Sequence, residues 1–252
     1  MPENTANKVY WSHKTMAQHP AYSDKLIRNI KYHQMDRDKH SNIQLRRITQ
    51  TDCQQVYGFL KLYFFQDEPL STCFGPDEER GFGETILSSL IDSELCLMAI
   101  DEETNELIGV ILNDSENPEK KKTLPNYEVK TNDPTGEKIH KFLTKIRNEA
   151  DLFQRYQIEK LLHLIIVSVK KEWRGKGIAS LLSKAVVDMG KEKGFELISV
   201  ECTSLFTAKM FQGMGWDLVH TIYYKDFLDE NMEQVFTPLA PHDGCRVYAK
   251  RL

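Results

Sequence analysis

Two short stretches of this chain hold residue types whose spacing suits chemistry. In the first, Arg174-Gly175-Lys176-Gly177-Ile178-Ala179-Ser180 joins a nearly continuous apolar run, Leu161 to Val169, to a helix-like run, Ile178 to Lys193. Backbone N–H groups at a helix start, with the helix dipole behind them, attract an anion, and glycines let a pyrophosphate approach the backbone. The order Arg174-x-x-Gly177-x-Ala179 is neither Gly-x-Gly-x-x-Gly nor Gly-x-x-x-x-Gly-Lys-Ser/Thr, which argues against the two commoner nucleotide loops. The stretch reads as a nucleotide-pyrophosphate cradle, or else as an ordinary strand-to-helix turn with Arg174 and Lys176 solvated. In the second stretch, Phe64-Phe65-Gln66-Asp67-Glu68-Pro69-Leu70, aromatics followed by an acid and a proline mark a helix end running into a turn. Glu68 either faces an apolar pocket, the setting that makes a carboxylate a stronger base, or is a solvated turn acid.

Other residues carry two readings each. Thr203 and Thr207 are hydroxyls beside a helix start, where such groups cap free N–H groups or contact a ligand. Cys202 is either a nucleophilic thiol or, the commoner role, a small buried side chain ending a strand. His163 sits inside the apolar run and reads as a satisfied core histidine. Phe64, Phe65 and Tyr63, with Met210 and Met214, either wall an apolar cavity or pack the core.

The elements that must position these residues follow from periodicity. Ile43 to Ile48 alternates as a strand, and Thr49 to Asp52 offers caps for a helix to about Phe65. A second helix is expected over Asp77 to Ile91. Cys96 to Ile100 and Leu107 to Leu112 form a hairpin across a turn at Glu102 to Asn105. Asn113 to Pro134 is polar, rich in lysine and broken by three prolines, and is expected to be a long surface loop or insertion. Glu137 to Phe153 reads as a helix, and the Leu161 to Val169 strand, the cradle and the helix to Lys193 follow. Leu197 to Cys202 is a strand, Leu205 to Met214 a helix, and Trp216 to Tyr224 and Cys245 to Lys250 are strands. The order predicts an α/β fold with a mixed sheet. Residues 1–42 are expected to be an N-terminal extension, with one short helix at Tyr22 to Tyr32, and 43–252 a single domain.

Whole-chain properties narrow the partners. A net charge of −4, with basic clusters confined to Lys120-Lys121-Lys122 and Lys170-Lys171, argues against nucleic acid. Five cysteines without Cys-x-x-Cys spacing suggest a reduced chain with no metal site. No apolar run reaches the roughly 18 residues of a membrane span, nor does the N-terminus carry a signal-like segment. The expectation is a soluble cytoplasmic protein with no membrane partner, a monomer being favoured.

Placed after a strand and before a helix, the cradle closely resembles the acetyl-CoA-binding motif of the GCN5-related N-acetyltransferases, Arg/Gln-x-x-Gly-x-Gly/Ala. Phe-Phe-x-Asp-Glu-Pro-Leu around Glu68, the cradle, and the late Pro241-His242-x-Gly244 together resemble the insect arylalkylamine N-acetyltransferases. The resemblance implies their fold over 43–252, a mixed central sheet with helices on both faces, and acetyl-CoA as cosubstrate. It implies that Val167, Ser168 and Val169 bind the pantetheine arm as an added strand would, and that Arg174 to Ser180 hold the pyrophosphate. By the same resemblance Glu68 is the general base, and Thr203 and Thr207 stand where the family has two serines, a change that leaves their catalytic part open. Thr207 is read as a coenzyme contact as well. Phe64, Phe65 and Tyr223 are expected in the substrate pocket, with Tyr223 or Tyr224 as candidate acid for the leaving thiolate. The implied acceptors are dopamine, serotonin, tyramine, octopamine and tryptamine, attacked directly in a ternary complex. Acetylation of polyamines, or a non-catalytic acyl-CoA-binding module, are the alternatives.

Overall fold

Strand runs that are buried almost throughout at β2, β4 and β5 build a seven-stranded mixed sheet in the order β1-β2-β3-β4-β5-β7-β6. The strands are β1 (Ile43–Arg47), β2 (Leu97–Asp101), β3 (Glu106–Glu116), β4 (Leu161–Val169), β5 (Leu197–Cys202), β6 (Asp217–Tyr223) and β7 (Gly244–Arg251). The helices are α1 (Cys53–Tyr63), α2 (Pro69–Thr72), α3 (Glu84–Asp92), α4 (Pro134–Ala150), α5 (Leu152–Tyr156), α6 (Ile178–Glu192) and α7 (Leu205–Gly213). This computed structural model describes residues 42–75, 82–119 and 134–252. The expected extension, residues 77–81 of the expected Asp77 helix and most of the expected long loop lie outside the described residues; that helix begins only at Glu84, because Gly83 is extended and acts as its N-cap.

Helices cover both faces, as expected. Successive side chains of a strand point to opposite faces, and β2 shows it: Leu97 and Ala99 pack with Ile178, Leu182 and Val186 of α6. Met98 and Ile100 pack with Val56 and Leu60 of α1 and Leu87 and Leu90 of α3. Further along the sheet Phe142 and Ile146 of α4 lie on Ile222, Cys245 and Val247. Helix α6 sits close to β3: a methyl group added at Gly109 would stand 3.0 Å from Ile178 Cγ2 and 3.2 Å from Leu182 Cδ1. That glycine sets the height of the cradle above the sheet.

The pairing that matters most is incomplete. β4 and β5, the sheet's parallel pair, are in register only from Leu161↔Leu197 to Leu164↔Val200. β4 continues to Val169 and β5 to Cys202, so the strands splay and leave a notch. On its other side β4 stays paired with β3 as far as Val169↔Gly109.

Three expectations need correction. Asn113 to Glu116 belong to β3, not to the loop, and pair with Leu161 to Leu164. Their polarity suggests a loop, but the sheet gives the buried Asn113 amide a backbone partner: its Nδ2 donates to Leu95 O at 2.7 Å. The helix expected over Glu137 to Phe153 begins at Pro134, where a missing N–H costs nothing, and breaks at Asp151, whose φ is 40°. The four-residue α2 is too short to show a period and was not foreseen.

Candidate active site

The cradle has the geometry of an anion site. Gly175 and Gly177 adopt φ of 74° and 88°, a left-handed conformation that costs glycine little. Gly177 caps α6, whose first bond of its own is Leu181 N–H to Gly177 O. The N–H groups of Ile178, Ala179 and Ser180 precede that bond and face outward from the first turn. Arg174 is a clamp: Nε donates to Val169 O at 3.0 Å, Nη2 to Tyr63 O at 2.8 Å and Nη1 to Asp67 Oδ2 at 2.6 Å. It thereby ties the cradle to the residue beside Glu68.

Glu68 is the N-cap of α2. Its Oε1 accepts from Leu70 N–H at 3.0 Å, and its Oε2 accepts from Ser71 N–H and Ser71 Oγ, both at 2.7 Å. Pro69 at the first helical position preorganises that turn. A carboxylate offers about four lone-pair directions, so one on Oε1 remains for a further donor. The setting is therefore more polar than an apolar pocket.

Two hollows meet at this residue. A groove of about 810 Å³ runs along Val167, Ser168 and Val169 and past Arg174, Gly175, Gly177, Ile178, Ala179 and Ser180. A cavity of about 210 Å³ lies between the α1–α2 turn, α4 and the notch strands, walled by Phe64, Phe65, Phe82, Leu143 and Ile166 among others. Phe64, Glu68, Val167, Thr203 and Thr207 line both. The ring of Phe65 meets Phe64 edge-on at 5.3 Å.

The cavity also carries charge. Glu201 of β5 and Arg147 of α4 line it, and Glu201 Oε2 accepts from Arg147 Nη2 at 3.2 Å and from His163 Nε2 at 2.5 Å. The other nitrogen of His163 lies 3.0 Å from Glu116 Oε1. An imidazole can donate from both nitrogens only when protonated. Burial and Arg147 act to lower the His163 pKa, but Glu201 and Glu116 outweigh them and it stands raised, at about 9. Burial acts against ionised Glu201, but Arg147 and His163 prevail and hold it down at about 2. Glu116 is lowered in the same way, against its burial, by His163 and Arg147. Two cations and two anions form a buried neutral quartet.

The expected site residues divide accordingly. Glu68, Thr203, Thr207, Phe64, Phe65, Val167 to Val169 and most of the cradle come together. Lys176 does not line the groove; its ammonium lies over the Trp173 ring at 4.7 Å. Tyr223 lines neither hollow. It is 44% exposed on β6, among Lys225 and Arg246, because its neighbour Tyr224 is the one turned inward. Tyr224 donates its hydroxyl to Thr203 O at 2.6 Å, and burial pushes its phenol well above the ordinary range, so it is a poor acid and a positioning group. Capping of α7 falls to Ser204, whose Oγ accepts from Phe206 N–H at 3.2 Å, and not to Thr203 or Thr207. Met210 and Tyr63 line the groove, not the cavity, while Met214 packs against the α6 core. Burial pushes the Cys202 thiol up, against a nucleophilic role. His242 lines the groove and its Nδ1 accepts from Leu205 N–H at 3.2 Å. His163 is a core histidine, 2% exposed, held towards its charged form by Glu201 and Glu116.

Ser71, Arg147, Glu116 and Glu201 were not foreseen as site residues. A signal existed for Glu201, an acid inside the apolar run Leu-Ile-Ser-Val-Glu-Cys, since unpaired charges are almost never fully buried. Nothing in the spacing pairs it with His163.

The chain belongs to the acetyltransferase (GNAT) family, which it matches over residues 62–216. Its fold is similar to that of arylalkylamine N-acetyltransferase 2 from Aedes aegypti, at 27% identity and a TM-score of 0.75, covering 83% of this chain and 99% of that one. It is similar to a mosquito arylalkylamine N-acetyltransferase-like 5b, at 25% identity and a TM-score of 0.76, covering 83% and 100%. It is also similar to a Drosophila melanogaster polyamine N-acetyltransferase that forms N-acetylagmatine, at 24% identity and a TM-score of 0.75, with the same 83% and 100% covered. GNAT enzymes use acetyl-CoA, and the residues present fit it: outward N–H groups for the pyrophosphate and an unpaired β4 edge for the pantetheine amides. No helix among the described residues is long and apolar enough to cross a membrane.

Proposed function

We propose that this protein acetylates the primary amine of an arylalkylamine, of the dopamine, serotonin, tyramine, octopamine and tryptamine class, by direct attack in a ternary complex with acetyl-CoA. The observation that carries the proposal is the junction at Glu68, where the groove and an aromatic-walled cavity share five residues. The acetyl thioester supplies the electrophile. An ammonium is no nucleophile until a base takes a proton, and Glu68 has an open lone pair at the junction for that proton. Thr203 and Thr207 place hydroxyls on the same junction to hydrogen-bond the reacting end of the coenzyme. Phe64 and Phe65 receive the ring, and the Val167 to Val169 edge with Arg174 to Ser180 holds the coenzyme. Free thiol release is the direct assay, with acetyl-CoA and a panel of aryl amines and polyamines. Turnover on aryl amines is expected; binding of acetyl-CoA with no acceptor modified would leave a non-catalytic acyl-CoA module.

A further inference from the structure

The charged wall of the cavity bears on which amines can enter. Glu68 and Glu201 are the carboxylates among its described lining residues, and Glu68 is committed to the attacking nitrogen at the junction. Glu201 lines the cavity but not the groove, so it is the group a second cation on the acceptor would need. Its Oε2 already receives Arg147 and His163, at 3.2 and 2.5 Å, and its side chain is only 7% exposed. Arg147 itself faces the cavity, and Glu116 is engaged by His163 at 3.0 Å behind that wall. Of the other described ionisable lining groups, His140 is pushed towards its neutral form by burial and by Arg147, and burial keeps the Cys202 thiol protonated. Among the described lining residues an entering ammonium would find a carboxylate already neutralised by Arg147 and His163, with a guanidinium beside it, and it would lose its hydration for little net Coulombic gain. A hydroxyl can accept from Arg147 or donate to Glu201 at little cost.

We infer that the Arg147–Glu201 pair is a specificity determinant that admits amines with one cationic nitrogen and a neutral, hydroxyl-bearing or apolar tail, and rejects amines with a second cation. The inference rests on the amine-acetylating reading above and selects within it. The matched probes are 4-(hydroxymethyl)phenethylamine against 4-(aminomethyl)phenethylamine, and 5-aminopentanol against 1,5-diaminopentane. Each pair differs in a terminal hydroxyl or ammonium. Binding to the CoA-loaded protein is measured by calorimetry alongside kcat/KM. The neutral-ended member should be favoured at least tenfold in both, about 1.4 kcal/mol. Arg147→Met, which leaves the wall net negative, should shrink that ratio below threefold. Glu201→Gln, which leaves it net positive, should widen it at least threefold and serves if Arg147→Met does not fold. Equal or tighter binding of the diamines by the wild type overturns the inference, as does an unchanged ratio in the folded variants. Because binding is read separately, selective binding without any turnover would sink the acetyl-transfer reading alone, and no binding of any amine would sink both.

Discussion

Glu68 both caps α2 and stands between groove and cavity, and the two tasks use different lone pairs of one carboxylate. Glu68→Gln keeps an amide oxygen that can still accept one of the N–H groups of Leu70 or Ser71. Stability should therefore change by about 1 kcal/mol or less, while kcat/KM at neutral pH falls about 10²-fold or more for loss of a general base. Steady-state kinetics beside a thermal melt and a coenzyme titration check this, and an equal loss of coenzyme affinity would reassign Glu68 to structure. Tyr224→Phe removes the hydroxyl that holds Thr203 O, with an expected cost of about 1 kcal/mol and a fall in kcat of less than about tenfold. A drop nearer the 10²-fold of a catalytic acid would make Tyr224 a proton donor after all. Glu68 is legible in the chain because Pro69 and the aromatics mark it. Ser71, which orients it, carries no pattern, since a serine one turn into a four-residue helix looks like any other.

The splay of β4 from β5 turns two ordinary strands into a binding notch. Both strands are readable to the residue, because an uninterrupted apolar run bounded by polar residues has few other uses. Their register is not, because it depends on how β3 and β7 pair on either side. β3 itself is longer than its apolar residues, since Leu95 O receives the Asn113 amide and His163 of the charged quartet engages Glu116 at its polar end. The height of the cradle above this sheet depends on Gly109. Gly109→Ala would drive a methyl against Ile178 and Leu182 and lift the first turn of α6. The expected result is a loss of about 1–3 kcal/mol in urea unfolding, with coenzyme affinity weakened several-fold and the ranking of amines unchanged. Unaltered coenzyme affinity would separate the cradle from this packing.

Glu116 of β3, His163 of β4, Glu201 of β5 and Arg147 of α4 bind four elements into one charged centre, so the molecule's stability should follow their ionisation. His163 is raised from 6.5 to about 9: its contribution is complete below about 6.5 and is lost as pH rises through about 9. Glu201 is lowered from 4.5 to about 2: its contribution is present above about 4.5 and is lost as pH falls through about 2. Urea unfolding across pH should show a plateau between these limits with losses at both ends. Glu201→Gln should flatten the acid limb and cost about 3–5 kcal/mol at neutral pH, as breaking a buried pair does. An unchanged acid limb would place the pH sensitivity elsewhere. The β4 and β5 strands, the start of α6, the glycine turn and the Glu68 corner were determined by the sequence itself, since each is encoded by neighbours a few residues apart. The meeting of Glu68 with Thr203 and Thr207, the turning of Tyr224 inward and Tyr223 outward, and the quartet at the cavity wall came from folding alone. They join positions far apart in the chain, and residue spacing carries no distance between such positions until strand register and helix packing supply one.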